Sequence, residues 1–285
     1  MIVITGASGQ LGRLVIAHLL ETVPASQIIA AARDPKKLAD LAAKGVQVRQ
    51  ADYAQPATLE RAFEGAEKVL LISSSEVGQR VAQHQAVIDA AKHAGVKLLG
   101  YTSVLHADTS ALGLAEEHRQ TEAALADAGV PTVVLRNGWY HENYTAGVAH
   151  AVANGAHFGS ARDGRISSAS RDDYAAAAAV VLTSSENQAG KVYELAGDAS
   201  YTLSDFAAEI ARQAGKRVVY TDLPEADYKA ALLQAGLPVF VAELLANSDA
   251  AAAKGALFDD GRQLSRLLAR PTTPLSASIA QALSQ

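Results

Sequence analysis

The sequence predicts an α/β fold: a doubly wound parallel sheet with helices on both faces, continued by a smaller, mostly helical C-terminal part. Through residue 136, short apolar runs alternate with longer amphipathic stretches. A loop with glycines at 6, 9 and 12 joins the first run to the first amphipathic stretch. Beyond about residue 137 the alternation stops, and Gly, Asn and Ser crowd residues 155–170. Strand, helix, strand at this spacing gives right-handed crossovers and a parallel sheet.

The elements follow in order. Residues 2–5 read as a strand buried on both faces, and 11–21 as a helix, with Leu11, Leu14, Val15, His18 and Leu19 at helical spacing. Residues 27–32 form a second strand. Pro35 opens a helix with Asp34 as its N-cap. A third strand spans 46–50, and Pro56 begins the next helix. Strands at 68–72 and 97–102 flank a helix at 79–94 closed by Gly95; a helix at 115–128 closed by Gly129 precedes a sixth strand at 132–136. Further on come an Ala-rich helix at 172–183, a strand at 192–195, a helix at 203–214 and a short strand at 218–220. Helices punctuated by Pro224, Pro238 and Pro271 complete the chain. The expected division is a nucleotide-binding core over 1–136 and, over 137–285, a part that completes the fold and shapes a substrate cleft.

Composition narrows the functional classes. The net charge is −5 and no Lys/Arg block stands out, which argues against nucleic acid as a partner. The absence of cysteine removes disulfides, thiolate nucleophiles and Cys-ligated metals, and fits a cytoplasmic protein. The histidines at 84, 93, 150 and 157 have no metal-ligand spacing, so no metal is expected. No apolar run is long enough to span a membrane, and no export signal is expected.

The run Thr5-Gly6-Ala7-Ser8-Gly9-Gln10-Leu11-Gly12 is the most informative segment. A dinucleotide pyrophosphate needs a tight turn, a backbone it can touch and a free helix N-terminus. Gly6 suits the turn, Gly9 clears space for phosphates, and Gly12 lets the helix pack close to the sheet. The Gly-x-x-Gly-x-x-Gly spacing is that of extended and atypical short-chain dehydrogenases, on a Rossmann-type sheet. Arg33, about 20 residues beyond the loop, stands where an arginine pairs with the 2′-phosphate of NADP. NADP(H) is therefore the expected cofactor. Asp52 and Tyr53, at the end of strand three, are candidates for the adenine edge, and Ser73, Ser74 and Ser75 for the nicotinamide ribose and phosphates.

Strand five ends Tyr101-Thr102-Ser103, where a standard short-chain dehydrogenase carries its serine. The Tyr-x-x-x-Lys pair that should follow reads Leu114-Ala-Glu-Glu-His118, so the usual proton relay is absent. Ketone reduction needs a positioned acid. A quinone forms a delocalised, weakly basic oxyanion that takes its proton from water, so the missing acid favours a small planar acceptor of that kind. Asn137, Gly138, Trp139 and Tyr140 follow strand six, where an aromatic wall suits a flat ligand stacked on nicotinamide. Asn137 is the candidate catalytic residue. A polar cluster at 167–174 includes Arg171, a further cofactor candidate.

Several longer runs carry a resemblance: Val23-Pro-Ala-Ser-Gln-Ile28, Leu70-Leu-Ile-Ser-Ser-Ser-Glu-Val-Gly-Gln-Arg80, Leu105-His-Ala-Asp-Thr-Ser110, Leu135-Arg-Asn-Gly-Trp-Tyr140 and Lys191-Val-Tyr-Glu-Leu-Ala-Gly-Asp198. With them the chain resembles the NmrA-like group of atypical short-chain dehydrogenases, and within it the quinone-reducing members. The resemblance implies NADPH-dependent quinone reduction, with cofactor roles on Gly6 to Gly12, Arg33, Ser73 to Ser75, Asn137 to Tyr140 and Arg171. A sister group reduces triarylmethane dyes, and other members bind NADP as sensors without catalysis; both stand as alternatives. A monomer or a homodimer is expected.

Overall fold

The computed structural model describes residues 1–284. In chain order its elements are β1 (Ile2–Ile4), α1 (Gln10–Leu20), β2 (Ile28–Ala32), α2 (Ala39–Ala43), β3 (Gln47–Gln50), α3 (Pro56–Ala62), β4 (Lys68–Leu71), α4 (Arg80–His93), β5 (Leu98–Val104), α5 (Ala115–Asp127), β6 (Thr132–Asn137), α6 (His141–Thr145), α7 (Val148–Asn154), β7 (Ala156–Gly159), α8 (Arg171–Thr183), β8 (Val192–Leu195), α9 (Leu203–Ala214), β9 (Val219–Asp222), α10 (Glu225–Gln234), α11 (Val239–Ala252), α12 (Gln263–Leu268) and α13 (Leu275–Leu283). No helix of the described residues is long and apolar enough to cross a membrane.

Seven strands form one sheet in the order β3-β2-β1-β4-β5-β6-β8. The pairings along β3-β2-β1-β4-β5-β6 are parallel, with Val3 opposite Ile29 and Val69, and Leu99 opposite Thr132. This is the doubly wound order, whose direction reverses between β1 and β4 and leaves a crevice at the strands' carboxyl ends. The inner strands are buried on both faces, which explains why β2 reads Ile-Ile-Ala-Ala-Ala without alternation. Val3, Ile29, Val69, Leu71, Leu99, Tyr101 and Val134 belong to one core with Leu59, Val87, Ile88 and Leu125 of α3, α4 and α5 and with Phe63, which caps α3. Elsewhere α1 packs against α8. The Ala175–Ala178 run lets these helices approach closely, and Val15, Ile16 and Leu19 are fully buried.

The chain divides into two compact units, and no single cut separates them. One comprises Met1–Ala107, Glu116–Asn137 and Arg171–Tyr193; the other comprises Asp108–Ala115, Gly138–Ser170 and the chain from Glu194 on. The division expected at 136/137 differs from these units in two segments. Residues 108–115 group with the second unit, and α8 groups with the first, where it packs against α1.

In the second unit β7 and β9 pair in parallel, Ala156 opposite Val219. Sequence reasoning left 155–170 without structure and so missed β7, whose four residues Ala-His-Phe-Gly carry no strand composition. Helix α9 is fixed at both ends: Thr202 and Asp205 form a capping box, and Gly215 closes it at φ 62°. The core here is aromatic and polar at once. Tyr144 donates to Asp249 Oδ1 at 2.8 Å, and the Ser160 N–H donates to Oδ2 at 2.9 Å. His157, Phe206 and Tyr201 pack around them.

Asp249 is 2% exposed, and its burial raises the carboxyl to about 6 against these two donors. A raised carboxyl pKa favours the folded state below the unfolded value near 3.8, and that advantage is lost as pH rises through about 6. The effect is on the order of 3 kcal/mol. Asp249→Asn removes it, at the constant loss of one acceptor. Urea unfolding from pH 4 to 7 should show the stability of the variant relative to the parent rising with pH. A difference flat across that range refutes this role for Asp249.

Candidate active site

The phosphate loop is built by β1 and α1. Gly6 has φ 58°, a left-handed conformation that L side chains rarely adopt, and it turns the chain so that the Gly9 N–H donates to its carbonyl at 2.9 Å. Gly12 is required by packing. A Cβ there would lie 2.6 Å from Gly6 O and 2.9 Å from Ala7 Cα. The buried side chains of Ala7 and Leu11 anchor the loop, while Ser8, Gly9 and Gln10 form its exposed tip. Gly9 is the N-cap of α1 and provides no side-chain bond to the first N–H groups, which stay open to an anion.

The expected residues at the next strand ends divide by what their side chains already hold. Arg33 follows β2, with its side chain 69% exposed, and its Nη1 lies 2.6 Å from Glu76 Oε1. An ion pair this exposed is worth less than about 1 kcal/mol and yields readily to another anion. Asp52 is engaged locally: Oδ1 accepts from the Ala54 N–H at 3.0 Å and Oδ2 from Gln55 at 3.0 Å, which shapes the turn into α3. The Tyr53 hydroxyl lies 2.5 Å from Thr5 Oγ1 and donates to Ile72 O at 2.8 Å. Burial pushes this phenol well above its ordinary range. Tyr53 thus braces the ends of β1 and β4 beneath Gly6, which its position beside an adenine edge did not suggest.

The serine turn after β4 is held from behind. The Ser73 N–H donates to Thr102 Oγ1 at 2.9 Å, and the Ser74 N–H to His84 Nε2 at 2.9 Å. His84 therefore carries its proton on Nδ1, which faces Thr121 Oγ1 at 2.9 Å. Burial, with Arg80 adding to it, lowers His84 to about 4 and keeps it neutral, as an acceptor must be. Arg80 Nε donates to Ser74 O at 2.6 Å. Sequence reasoning treated His84 as ordinary; its one signal is a position in the first turns of α4, just behind the serines.

At β5 and β6 the standard relay positions are otherwise occupied. Ser103 Oγ donates to Glu122 at 2.5 Å, and that carboxylate pairs with Arg136 Nη2 at 2.7 Å. His118, in the usual lysine position, is buried, with Nδ1 2.7 Å from the Tyr101 hydroxyl. Burial brings it down to about 3, so it is a neutral core residue. Asn137 ends β6, is 5% exposed, and its buried Oδ1 has no partner among the described residues. An unsatisfied buried acceptor costs roughly 1–3 kcal/mol, which is why such atoms mark ligand positions.

The residues after Asn137 belong to the second unit. Trp139 is buried and packs near Tyr144, with ring centroids 6.4 Å apart and planes inclined at 55°. These two rings form a packed cluster there and not an open wall. Tyr140 is the N-cap of α6 and bridges to Ala169, with the Ala169 N–H donating to Trp139 O at 3.1 Å. Arg171 opens α8, whose next residue Asp172 lies 2.8 Å from His18 Nε2. Gly6 to Gly12, Arg33, Tyr53, Ser73 to Ser75 and Asn137 thus share the carboxyl edge of one sheet. No group of three or more His, Asp or Glu among the described residues is arranged to hold a metal.

The open α1 N-terminus, the Gly12 contact that no Cβ tolerates, and the orphaned Asn137 Oδ1 together fit a dinucleotide lying along this edge. Comparison with known proteins agrees. The NmrA-like family model matches residues 1–284. The chain is 57% identical to Quinone oxidoreductase 2 of Escherichia coli strain K12, over 98% of this chain and 97% of that protein. It superposes on the E. coli NADPH-dependent quinone oxidoreductase complexed with NADPH at a TM-score of 0.97 and 56% identity, covering 99% of this chain and 100% of that one. The Citrobacter sp. triphenylmethane reductase complexed with NADP(H) gives 0.96 and 38%, covering 99% and 100%. With the family model spanning nearly every residue and a relative this similar over its whole length, the chain belongs to the NmrA-like family.

Proposed function

We propose that this protein is an NADPH-dependent quinone oxidoreductase. The observation that carries the reading is the carboxyl edge of the sheet. It is equipped for a phosphate-bearing dinucleotide by Gly6 to Gly12 and Arg33, yet its usual proton-relay positions are closed. Ser103 is spent on Glu122, and His118 is buried against Tyr101. An acceptor that needs no enzymic acid fits such a site, and the identity to the E. coli enzyme supports a quinone.

NADPH, when bound, supplies the hydride from its nicotinamide ring. The chain's own residues bind and orient. Gly9 and the α1 N-terminus receive the pyrophosphate, and Arg33 receives the 2′-phosphate. Ser73, Ser74 and Ser75 line the ribose and phosphates on a turn that His84 and Thr102 hold rigid. Asp52 and Tyr53 border the adenosine end, with Tyr53 acting through the loop it braces. Asn137 provides the carboxamide or carbonyl contact that its buried oxygen lacks. The same assignment gives cofactor contacts to Gly138, Trp139, Tyr140 and Arg171. Positioning of this kind provides most of the rate when acceptor and donor are intrinsically reactive. All these residues come from one chain, so a monomer or a homodimer serves equally.

The test is NADPH oxidation followed at 340 nm with benzoquinone and naphthoquinone, and with a triarylmethane dye as the competing acceptor. Turnover on quinones above the dye supports the proposal. Tight NADPH binding with no turnover on any of them replaces it with a sensor. Asn137→Ala should lower kcat about 10- to 100-fold through lost orientation, with an unchanged melting temperature or a higher one. Unaltered kcat and KM would remove Asn137 from the site.

A further inference from the structure

Sheet order gives the Arg33–Glu76 pair a meaning beyond its small contribution to stability. Strand β1 lies between β2 and β4. Arg33 directly follows β2, and Glu76 lies in the turn after β4. A bond between them joins the two strands that flank β1, at the end from which the glycine loop emerges. The two ends of this bond are not equivalent. Glu76 is tethered: its second oxygen accepts from Gln83 Nε2 at 2.7 Å, and its N–H donates to Ser74 Oγ at 3.1 Å. Arg33 is the freer end, its side chain 69% exposed with Nη1 on Glu76 Oε1 at 2.6 Å.

We infer that Glu76 is a specificity-determining residue, a latch that holds Arg33 until a cofactor bearing a 2′-phosphate takes the guanidinium from it. The inference rests on the NADPH reading above. A phosphate monoester carries nearly two charges and three acceptor oxygens, so it outcompetes one carboxylate for a planar fork of donors. The 2′-hydroxyl of NADH carries no charge and leaves the latch in place. Because Glu76 is tethered, its carboxylate stays near the released position and opposes the incoming phosphate. The protein thus recognises the phosphate through Arg33, while Glu76 restrains the affinity.

Isothermal titration of the full-length protein tests this without turnover, with adenosine 2′,5′-bisphosphate and ADP as probes beside NADPH and NADH. For Glu76→Gln the bisphosphate and NADPH should bind about threefold to tenfold tighter at low salt, while ADP and NADH change by less than about twofold. The gain should shrink as ionic strength rises. Unchanged bisphosphate affinity, or an equal gain for ADP, overturns the latch. Arg33→Gln separates that failure from failure of the cofactor reading. If Arg33→Gln abolishes the preference for the bisphosphate while Glu76→Gln does nothing, the latch alone falls. If the preference survives Arg33→Gln, the assignment of Arg33 falls and the latch with it. Both residues lie at the surface, with side chains 69% and 43% exposed, and melting curves verify that each variant is folded.

Discussion

Gly12→Val should remove measurable NADPH binding and lower the melting temperature. A Cβ at this position meets backbone on two sides, Gly6 O at 2.6 Å and Ala7 Cα at 2.9 Å, and backbone cannot rotate away as a side chain can. Relief requires α1 to withdraw from β1, which carries the loop and its open N–H groups out of register. Overpacking of this kind costs about 1–3 kcal/mol, and valine adds two further methyl groups to the clash. The expected fall in melting temperature is roughly 5–10 °C for a chain of this size. NADPH affinity, measured by nucleotide fluorescence well below the transition, should drop at least about 100-fold, since the whole phosphate contact moves. Gly12→Ala should lie between. A valine variant that binds NADPH like the parent would show that the loop is not the phosphate site.

Glu122→Leu should produce a large loss of stability with little change in cofactor affinity. The carboxylate holds Arg136 through Nε at 3.1 Å and Nη2 at 2.7 Å, and accepts from Ser103 at 2.5 Å. Its removal takes the carboxylate from Arg136, a residue only 9% exposed. Breaking a buried pair from one side costs about 3–5 kcal/mol. The side chains are 11% and 16% exposed, which puts the expectation at the lower end, about 2–4 kcal/mol by urea unfolding. Glu122→Leu combined with Arg136→Met should recover much of that loss, because replacing both ions by apolar groups leaves no charge stranded and only the Ser103 hydroxyl without its acceptor. If the double variant is as unstable as the single one, the cost comes from shape and not from charge.

What the sequence disclosed and what it hid follow from range. The inner strands of the first unit are legible because burial on both faces forces continuous apolar runs, and the glycine loop because turn, approach and helix start each leave a glycine at fixed spacing. The proposed role of Arg33 rests on the same local reasoning, since it is counted from the loop. Glu76, His84 and Glu122 are not, because their roles depend on partners brought together by the sheet. Glu76 gains significance only once β2 and β4 flank β1, and Ser103 loses its usual role only once Glu122 on α5 is seen beside it. Asp52 and Tyr53 show a subtler failure. Sequence position alone did not show that Asp52 shapes the turn into α3 or that Tyr53 braces the floor of the loop. Strand β7 was missed because a four-residue strand paired with one about sixty residues later needs no composition of its own.

The way the chain leaves the first unit and comes back has a consequence for its synthesis. The glycine loop and six strands have emerged by Asn137, but α8, which covers α1, and β8, which closes the edge beside β6, come from residues 171–195. At about 5–20 residues per second, the ribosome leaves the nascent chain for several seconds with α1 lacking its helical partner α8 and the β6 edge unpaired. An open edge and an apolar stripe are what chaperones hold and what aggregates recruit. Pauses in translation between residues 138 and 170 should therefore lower the yield of native protein more than pauses after residue 195, even though the finished molecules are identical.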